Sequence, residues 1–275
     1  MRKLMAFALL LLPTAAFAEQ RCEHSQQRNL QLDLAGVKTL VFDVNQHDLR
    51  IEAVSGGKGA LQGRACASDA KMLDQLVITQ QKSGDKLVVT IGKDGDWSGM
   101  HWGNYYATLY VTGNVPDNLP IQLKVGSGDA EITGAPSLSA DVGSGDVNIH
   151  RVRGLFTAAV GSGDVNADDI GALHVVSVGS GDVQIKRVGG ASKVGKVGSG
   201  DVSIASTRGA LDIGSIGSGD AVLRDIGGNV VVDSVSSGDV EANGVRGDFT
   251  VRSVGSGDVS QRNVSGRVSV PKDDD

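Results

Sequence analysis

Apolar and polar residues alternate along the C-terminal half of the chain. Directly after a recurring aspartate the order is apolar, polar, apolar, as in Val183, Gln184 and Ile185. This alternation predicts a strand with one buried face. A further apolar residue and a glycine follow, and then a second alternating run begins, as at Leu211 and Ile213. Each unit therefore predicts the order strand, turn, strand, turn.

This unit is an internal repeat of regular length. The tetrapeptide Gly/Ser-Ser-Gly-Asp occurs eight times, at intervals of 17 to 19 residues. Its aspartates are Asp129, Asp146, Asp164, Asp182, Asp201, Asp220, Asp239 and Asp258. Repeats of this length are typical of solenoids, in which each coil buries its apolar face only against its neighbours. Stacked at about 4.8 Å, seven rises would extend over roughly 35 Å.

The predicted fold is all-β: a parallel β-solenoid (β-helix) of about eight coils of 17–19 residues, with an irregular β-rich N-terminal cap. The repeats occupy residues 125–270, the cap residues 19–124, and a charged tail residues 271–275. Within the cap, strands are predicted at 30–34, 39–44, 49–54, 76–80, 87–91, 107–111 and 121–125, and a helix at 68–75 with Ser68 as its N-cap. Whether the cap is a separate domain stays open at this level.

The N-terminus has the three parts of a secretory signal peptide. Arg2 and Lys3 are basic, residues 4–12 are apolar, and Ala16-Phe17-Ala18 fits the small-x-small cleavage rule. We expect cleavage after Ala18 and a periplasmic or secreted mature protein. No later stretch approaches the ~18 apolar residues of a membrane-spanning helix, so no transmembrane segment is predicted.

Composition and charge exclude one class of partner. Of the 39 glycines, 28 follow Val125, where they mark the predicted corners of the coils. Without Arg2 and Lys3 the chain has 24 basic and 32 acidic residues, a formal net charge of −8. An acidic chain without a basic cluster binds nucleic acid poorly, so no nucleic-acid partner is predicted.

Cys22 and Cys66 are the only cysteines of the chain. In an oxidising compartment an even pair favours a disulfide, and the absence of a C-x-x-C motif argues against a redox pair. A bridge between them would close a loop of about 45 residues and stabilise the fold by ~3–4 kcal/mol in the chain-entropy model.

A Pro-flanked segment leads into the repeats. Val115-Pro116-Asp117-Asn118-Leu119-Pro120-Ile121 runs through Val125 into the first G-S-G-D, and repeated G-S-G-D-V coils follow. In this arrangement the chain resembles a bacterial family of candidate adhesins with β-strand repeats, related to the head-like domains of autotransporter adhesins. The resemblance covers most of the chain after residue 18 and is best from 115 to 270. It implies a β-solenoid at the cell envelope and indicates no catalytic residues.

The repeated aspartates would form a column along one edge of the solenoid, about 5 Å apart. In water each neighbouring pair repels by only ~1 kcal/mol, so such a column is tolerable. One interpretation is structural, since an aspartate after glycine can accept backbone N–H bonds and fix a turn. The alternative is a ladder of calcium ligands, the only cofactor that the sequence suggests. Its candidate ligands are Asp146, Asp164, Asp182, Asp201, Asp220 and Asp239.

Aromatic residues cluster before the repeats. Five of the eight that follow residue 18 lie between Trp97 and Tyr110. Aromatic faces with polar edges suit sugar stacking or contact with a protein partner. The candidate contact residues are Trp97, His101, Trp102, Tyr105 and Tyr106. The alternative is a local mini-core that caps the open end of the solenoid.

No motif of the sequence predicts catalysis. The histidines show no metal-ligand spacing, and no G-x-S-x-G nucleophile elbow is present. We therefore predict a non-enzymatic, exported protein with a binding or structural role at the envelope, with a glycan or a protein as partner. Two alternatives stay open: a carbohydrate-active enzyme, which needs two carboxylates in a cleft, and a Ca²⁺-dependent binding module.

Overall fold

The computed structural model describes residues 22–93 and 105–271. These residues form strands and one short helix, and they confirm the predicted all-β parallel solenoid of about eight coils. The predicted signal peptide and the contact residues Trp97, His101 and Trp102 lie outside the described residues.

The N-terminal region contains seven strands and the helix. Their bounds are β1 (His24–Gln31), β2 (Thr39–Asn45), β3 (Asp48–Val54), β4 (Ala60–Ala67), α1 (Ala70–Leu73), β5 (Leu76–Ser83), β6 (Lys86–Lys93) and β7 (Ala107–Pro116). The strands of the repeats are β8 (Ile121–Val125), β9 (Ala130–Thr133), β10 (Leu138–Val142), β11 (Val147–Val160), β12 (Val165–Val178), β13 (Val183–Val188), β14 (Ser192–Val197), β15 (Val202–Thr207), β16 (Leu211–Ile216), β17 (Ala221–Ile226), β18 (Val230–Val235), β19 (Val240–Val245), β20 (Phe249–Val251), β21 (Val259–Val264) and β22 (Val268–Ser269).

The repeat strands stack in two parallel ladders. The first ladder holds the strands that follow each repeated aspartate, namely β9, β11, β12, β13, β15, β17, β19 and β21. The second ladder holds β8, β10, β11, β12, β14, β16, β18, β20 and β22. The long strands β11 and β12 contribute to both ladders. Equivalent residues pair from coil to coil, as Val202 does with Val183 and Ala221.

One left-handed residue sets the inward pattern of each first-ladder strand. In β13, Val183, Ile185 and Val188 are buried, although strict alternation would place residue 187 inside. Arg187 has φ 54°, so it acts as one extra residue, as in a β-bulge, and Val188 points into the core instead. The fifth residue after the aspartate is left-handed in each of the eight repeat coils from Asp129 to Asp258, and Gly134 and Gly244 occupy it in two of them.

The N-terminal strands extend both ladders out of sequence order. β2 lies between β6 and β8, and β3 lies between β7 and β9, and all these pairs are parallel. At the outer end β5 pairs with β6, β4 with β7 and β1 with β4, all antiparallel. A single buried apolar cluster extends from Leu32 to Val251 and so runs through cap and repeats. The domain boundaries given above stay a prediction.

Three details of the cap differ from the sequence expectation. The strand expected at 30–34 is β1, which ends at Gln31, and β4 was not predicted because Gly63 and its small residues interrupt the apolar alternation. The helix α1 is a single turn that begins after Asp69, whose carboxylate accepts the Lys71 N–H at 2.8 Å. Ser68 is not the N-cap, because Asp69 holds that position and the Ser68 hydroxyl instead accepts the Tyr106 N–H at 3.2 Å.

The predicted disulfide is present between Cys22 and Cys66, whose Cα atoms are 5.4 Å apart. It ties the start of the edge strand β1 to β4, since His24 pairs with Ala67 and Ser25 with Cys66. Among residues 22–93 and 105–271, none of the helical segments has the length and apolar character to span a membrane.

A ninth corner precedes the eight that the sequence shows. Asn45-Gln46-His47-Asp48 stands where the later coils have G-S-G-D, and the carbonyl O of Asn45 accepts the N–H groups of Ser127 and Gly128 at 2.7 and 3.0 Å.

His47 of this corner is fully buried, its Nδ1 accepts the Leu109 N–H at 3.3 Å, and its Nε2 has no hydrogen-bond partner. Burial, with a smaller effect of the Lys93 charge, lowers the pKa of His47 to about 4.

We expect this histidine to make the fold sensitive to mild acid. Its unfolded-state pKa is near 6.5, above the folded value, so the free energy of unfolding should fall as pH drops from about 6.5 to about 4, by about 3 kcal/mol. His47→Asn keeps an acceptor for the Leu109 N–H but removes the titrating group. Urea unfolding at several pH values in this range gives the free energy of unfolding as a function of pH. This free energy should change clearly less with pH in the variant than in wild type, and an equal pH dependence would contradict the assignment of the effect to His47.

Candidate functional site

The repeated aspartates form the predicted column, and six of the eight carboxylates accept a backbone N–H of the next coil. From Asp182 to Asp258, the N–H of every aspartate donates to Oδ1 of the preceding one at 2.8–3.0 Å, and the Asp146 N–H donates to Oδ1 of Asp129 at 3.0 Å. Asp48 extends the column, since its Oδ1 faces the Asp129 N–H at 3.4 Å. Burial raises the pKa of Asp48, and that hydrogen bond opposes the shift. The carboxylates thus link neighbouring coils rather than closing a turn within one coil.

This geometry predicts that the column needs acceptors rather than charges. Asp201→Ala should lower the free energy of unfolding by about 1–2 kcal/mol, because the Asp220 N–H loses its partner. Asp201→Asn should be close to neutral, since Asn229 already accepts the Asp248 N–H at 2.9 Å. Urea unfolding of both variants, with and without calcium, measures the difference. Equal losses in the two variants, or a calcium-dependent midpoint, would refute this role.

Within the described part of the chain, no group of three or more His, Cys, Asp or Glu residues could hold a metal ion. The six candidate ligands from Asp146 to Asp239 are arranged as a single row of exposed side chains along the stacking direction. A calcium role for them stays the untested alternative, and the experiment on Asp201 addresses it.

Two of the five aromatic-cluster candidates are described. Tyr105 is 44% exposed, whereas Tyr106 is half-buried and its hydroxyl accepts the Glu23 N–H at 3.0 Å. Nearby, the Arg64 guanidinium lies over the Tyr110 ring at 5.3 Å. Burial is the main cause that raises the pKa of Tyr110, with a further contribution from the Asp48 charge. Ligand contact by this cluster stays a prediction.

A long groove runs along the corner where the first-ladder strands end. Its volume is about 1300 Å³, and we call it the corner groove. It is lined by residues 53–55, 117, 134, 151–153, 169–171, 187–189, 206–208, 225, 227, 244–246, 263 and 265. Because all of these except Asp117 are the fifth to seventh residues after successive aspartates from Asp48 to Asp258, the groove crosses nine stacked strands and roughly 38 Å.

The left-handed position builds one wall of the corner groove. The sixth residue, such as Val188, points into the core, so the fifth and seventh residues stand on either side of the groove floor. Among the described residues, seven non-glycine residues have positive φ, and six of them line the groove. They are Arg151, Asp169, Arg187, Ser206, Asp225 and Asn263. The bulge of each coil thus also sets the groove.

Five arginines and three aspartates among the described residues line the groove. Two of the arginines are held by carboxylates. Arg153 contacts Asp117 at 3.4 Å and donates to the Gly134 carbonyl at 3.2 Å, and Arg187 pairs with Asp168.

The other three arginines, Arg151, Arg208 and Arg246, are exposed and make no ion pair with any residue in 22–93 or 105–271. With five arginines against three aspartates, the groove is more basic than the corner that holds the aspartate column, in a chain that is acidic as a whole. The arginines of the groove can pair with anionic groups, and its aspartates can accept hydrogen bonds from hydroxyls.

The arginines of the groove recur at fixed positions of the repeat, but this regularity is not apparent from the sequence alone. In the eight repeats the fifth and seventh positions vary between Arg, Asp, Ser, Asn, Gly and, at residue 136, Pro, so they resemble ordinary turn residues. Aligning the coils on their aspartates shows that the arginines recur at only these two positions within the groove. That they share one surface follows only from the left-handed residue, which sequence spacing does not reveal.

Residues 37–274 match the model of a family described as Toastrack DUF4097. No curated protein matches the chain.

Solved structures similar to the chain include three bacterial proteins. A candidate lipid-binding protein from Parabacteroides distasonis is 16% identical, covers 91% of this chain and 98% of its own, and has a TM-score of 0.49. A candidate adhesin from the same species is 14% identical, with coverage of 90% and 96% and a TM-score of 0.43. A candidate adhesin from Bacteroides fragilis is 15% identical, with coverage of 90% and 97% and a TM-score of 0.39.

Proposed function

The chain belongs to the Toastrack DUF4097 family, and from this premise we propose that it is a non-enzymatic binding protein whose corner groove holds an extended polymer of the cell envelope. The observation behind the proposal is the continuity of the groove. It crosses all the stacked coils without a wall, so it fits a long ligand better than a compact one.

A hydrolytic role, the main alternative, has weak support in the groove. Asp169 and Asp225 are its two carboxylates without an ion pair among the described residues, and they lie three coils apart, roughly 14 Å. Glycosidases place their two carboxyl groups about 5–9.5 Å apart. The third carboxylate, Asp117, is held by Arg153.

The proposed location is outside the cytoplasm. The disulfide between Cys22 and Cys66 persists in oxidising compartments, and the signal-like segment before Glu19 agrees with export. An extracytoplasmic position would bring the groove into contact with envelope polymers.

A bulky residue in the groove tests the proposal. Gly189 is the seventh residue of its coil, where Arg208 and Arg246 stand in other coils, and a Cβ there meets its nearest atom at an ordinary 3.4 Å. Gly189→Trp should therefore obstruct the groove and keep the fold. Gln184→Trp, on an exposed strand position of the same coil, is the matched control.

The measurement is binding of the mature protein to immobilised bacterial polysaccharides, both neutral and acidic. We expect at least one polymer to bind wild type and Gln184→Trp equally, and Gly189→Trp to bind it at least about tenfold more weakly, a change of roughly 1.4 kcal/mol. The proposal fails if none of the polymers binds or if the tryptophan at 189 has no effect. Release of reducing or unsaturated sugars would instead support an enzyme.

A further inference from the structure

We propose that the polymer held in the corner groove is a linear acidic polysaccharide, whose carboxylates pair with Arg208 and Arg246 and whose hydroxyls bind Asp225. This inference rests on the proposed function and specifies its ligand class. The three side chains occupy consecutive coils of one groove, because Thr207 pairs with Ile226 and Ile226 with Val245.

The two arginines are placed to contact one chain at two points. They stand two coils apart, about 10 Å along the stacking direction. Each is exposed in the groove and makes no ion pair with a residue of the described chain. A guanidinium binds a carboxylate through two parallel N–H bonds, so carboxylates on a repeating polymer are suitable partners.

Arginine also occurs in this groove where the backbone disfavours it. Arg151 and Arg187 adopt φ 56° and 54°, a conformation that costs a residue with a Cβ free energy and that glycine adopts readily. Gly134 and Gly244 occupy the same position in other coils, so the fold does not require a side chain there. Arg187 pairs with Asp168, so Arg151 is the strained arginine that makes no ion pair with a described residue and is available to a ligand in the groove.

The aspartate between the two arginines argues against a purely electrostatic ligand. Asp225 is exposed, lines the groove and has no ion pair with a described residue. It would repel a simple polyanion such as polyphosphate. A carboxylate accepts hydrogen bonds from hydroxyls, so a polymer with both carboxylates and hydroxyls uses all three side chains.

The charge of the opposite corner directs such a polymer to the groove. The aspartate column runs along the G-S-G-D corner with exposed carboxylates at every coil from Asp129 to Asp258. An anionic chain is repelled by that edge and attracted by the arginines, which favours one binding surface over the other.

The test compares three probes on the mature protein by isothermal titration calorimetry. Polygalacturonate has a carboxylate and hydroxyls on every sugar, its methyl ester has the same hydroxyls without the charge, and polyphosphate has charge without hydroxyls. We expect polygalacturonate to bind at least about tenfold more tightly than the ester, and Arg208→Gln with Arg246→Gln to remove that advantage. Lys193→Gln with Lys196→Gln, an equal charge change on two exposed positions of β14, should have an effect below about twofold.

Asp225→Gly separates hydroxyl binding from charge, because glycine suits the left-handed position. It should weaken polygalacturonate and strengthen polyphosphate. Tighter binding of both probes, or an ester that binds as well as the acid, would overturn the inference. Gly189→Trp in the same titration distinguishes the proposed binding site from the proposed ligand class. If this variant blocks a polymer that the arginine variants bind normally, the groove is the binding site but its ligand is not an acidic polysaccharide held by the arginines.

Discussion

Gly200→Ala is expected to break the stack of coils in the middle of the solenoid. Gly200 is the second glycine of its G-S-G-D corner, and a Cβ at this position would lie 1.9 Å from the carbonyl O of Gly181 and 2.8 Å from its carbonyl carbon. Both are backbone atoms of the neighbouring coil, so no side-chain rotation relieves the clash. The two coils would have to separate at that corner.

Separation is opposed on both sides of the corner. The Gly200 N–H donates to the Gly179 carbonyl at 3.0 Å, and the flanking strands β14 and β15 pair with the coils on either side. We therefore expect a loss of at least about 4 kcal/mol, at the upper end of single substitutions. Because each coil contacts only its neighbours, the damage should divide the array into two parts that unfold separately.

The first glycine of the same corner provides a matched control. Ser236 occupies this position in the S-S-G-D corner, so the fold accepts a side chain there. A Cβ at Gly198 would lie 2.7 Å from the Gly179 carbonyl O, a weaker clash than the 1.9 Å at Gly200, so Gly198→Ser should cost clearly less than Gly200→Ala, about 1–2 kcal/mol. Urea unfolding followed by circular dichroism compares the two variants. A cooperative transition for Gly200→Ala within about 1 kcal/mol of wild type would contradict the close approach of the corners.

Loss of the disulfide is the second large effect that we expect. The bridge joins residues 44 apart in sequence, so its removal should lower the free energy of unfolding by ~3–4 kcal/mol in the chain-entropy model. β1 is the edge strand of its ladder, and its first four residues are exposed. Apart from the bridge, it is held mainly by its pairing with β4 and by Arg28, which donates to the carbonyls of Leu73 and Leu76 at 2.8 Å.

The test uses the double variant Cys22→Ser/Cys66→Ser and wild type, each with and without reductant. Wild type in reductant should unfold at the same lower urea concentration as the variant, and reductant should leave the variant unchanged. If reduced wild type keeps the midpoint of the oxidised protein, the bridge does not stabilise the cap.

The repeats were predictable because the alternation of apolar residues and the G-S-G-D corner motif recur with the same spacing of 17 to 19 residues. Strand pairs such as Val202 with Ala221 follow directly from aligning the aspartates, and the buried positions follow from the alternation. The buried position at Val188 was visible as a second apolar residue, but its cause was not, since the left-handed Arg187 has no distinctive residue type.

The cap was less predictable because its strands stack out of sequence order. Most strand positions could be derived from alternation, whereas the insertion of β2 between β6 and β8 depends on long-range packing. The ninth corner was missed for a related reason. Asn45 and His47 replace the two glycines, so only the fold shows that Asp48 belongs to the column.

The corner groove was the least predictable feature, because its residues are distant in sequence and varied in type. Arg208 and Arg246 looked like isolated surface charges in an acidic chain. Their common position relative to the aspartates brings them together only when the coils are stacked.

Mapping the bound ligand by NMR tests the central claim, that the corner groove is the binding surface. Oligogalacturonate would be titrated into the ¹⁵N-labelled mature protein. We predict the largest amide shifts at residues 206–208, 225–227 and 244–246, with little change at the aspartate corner formed by residues 198–201. Shifts centred on Tyr105 and Tyr106, or on the aspartate corners, would contradict it.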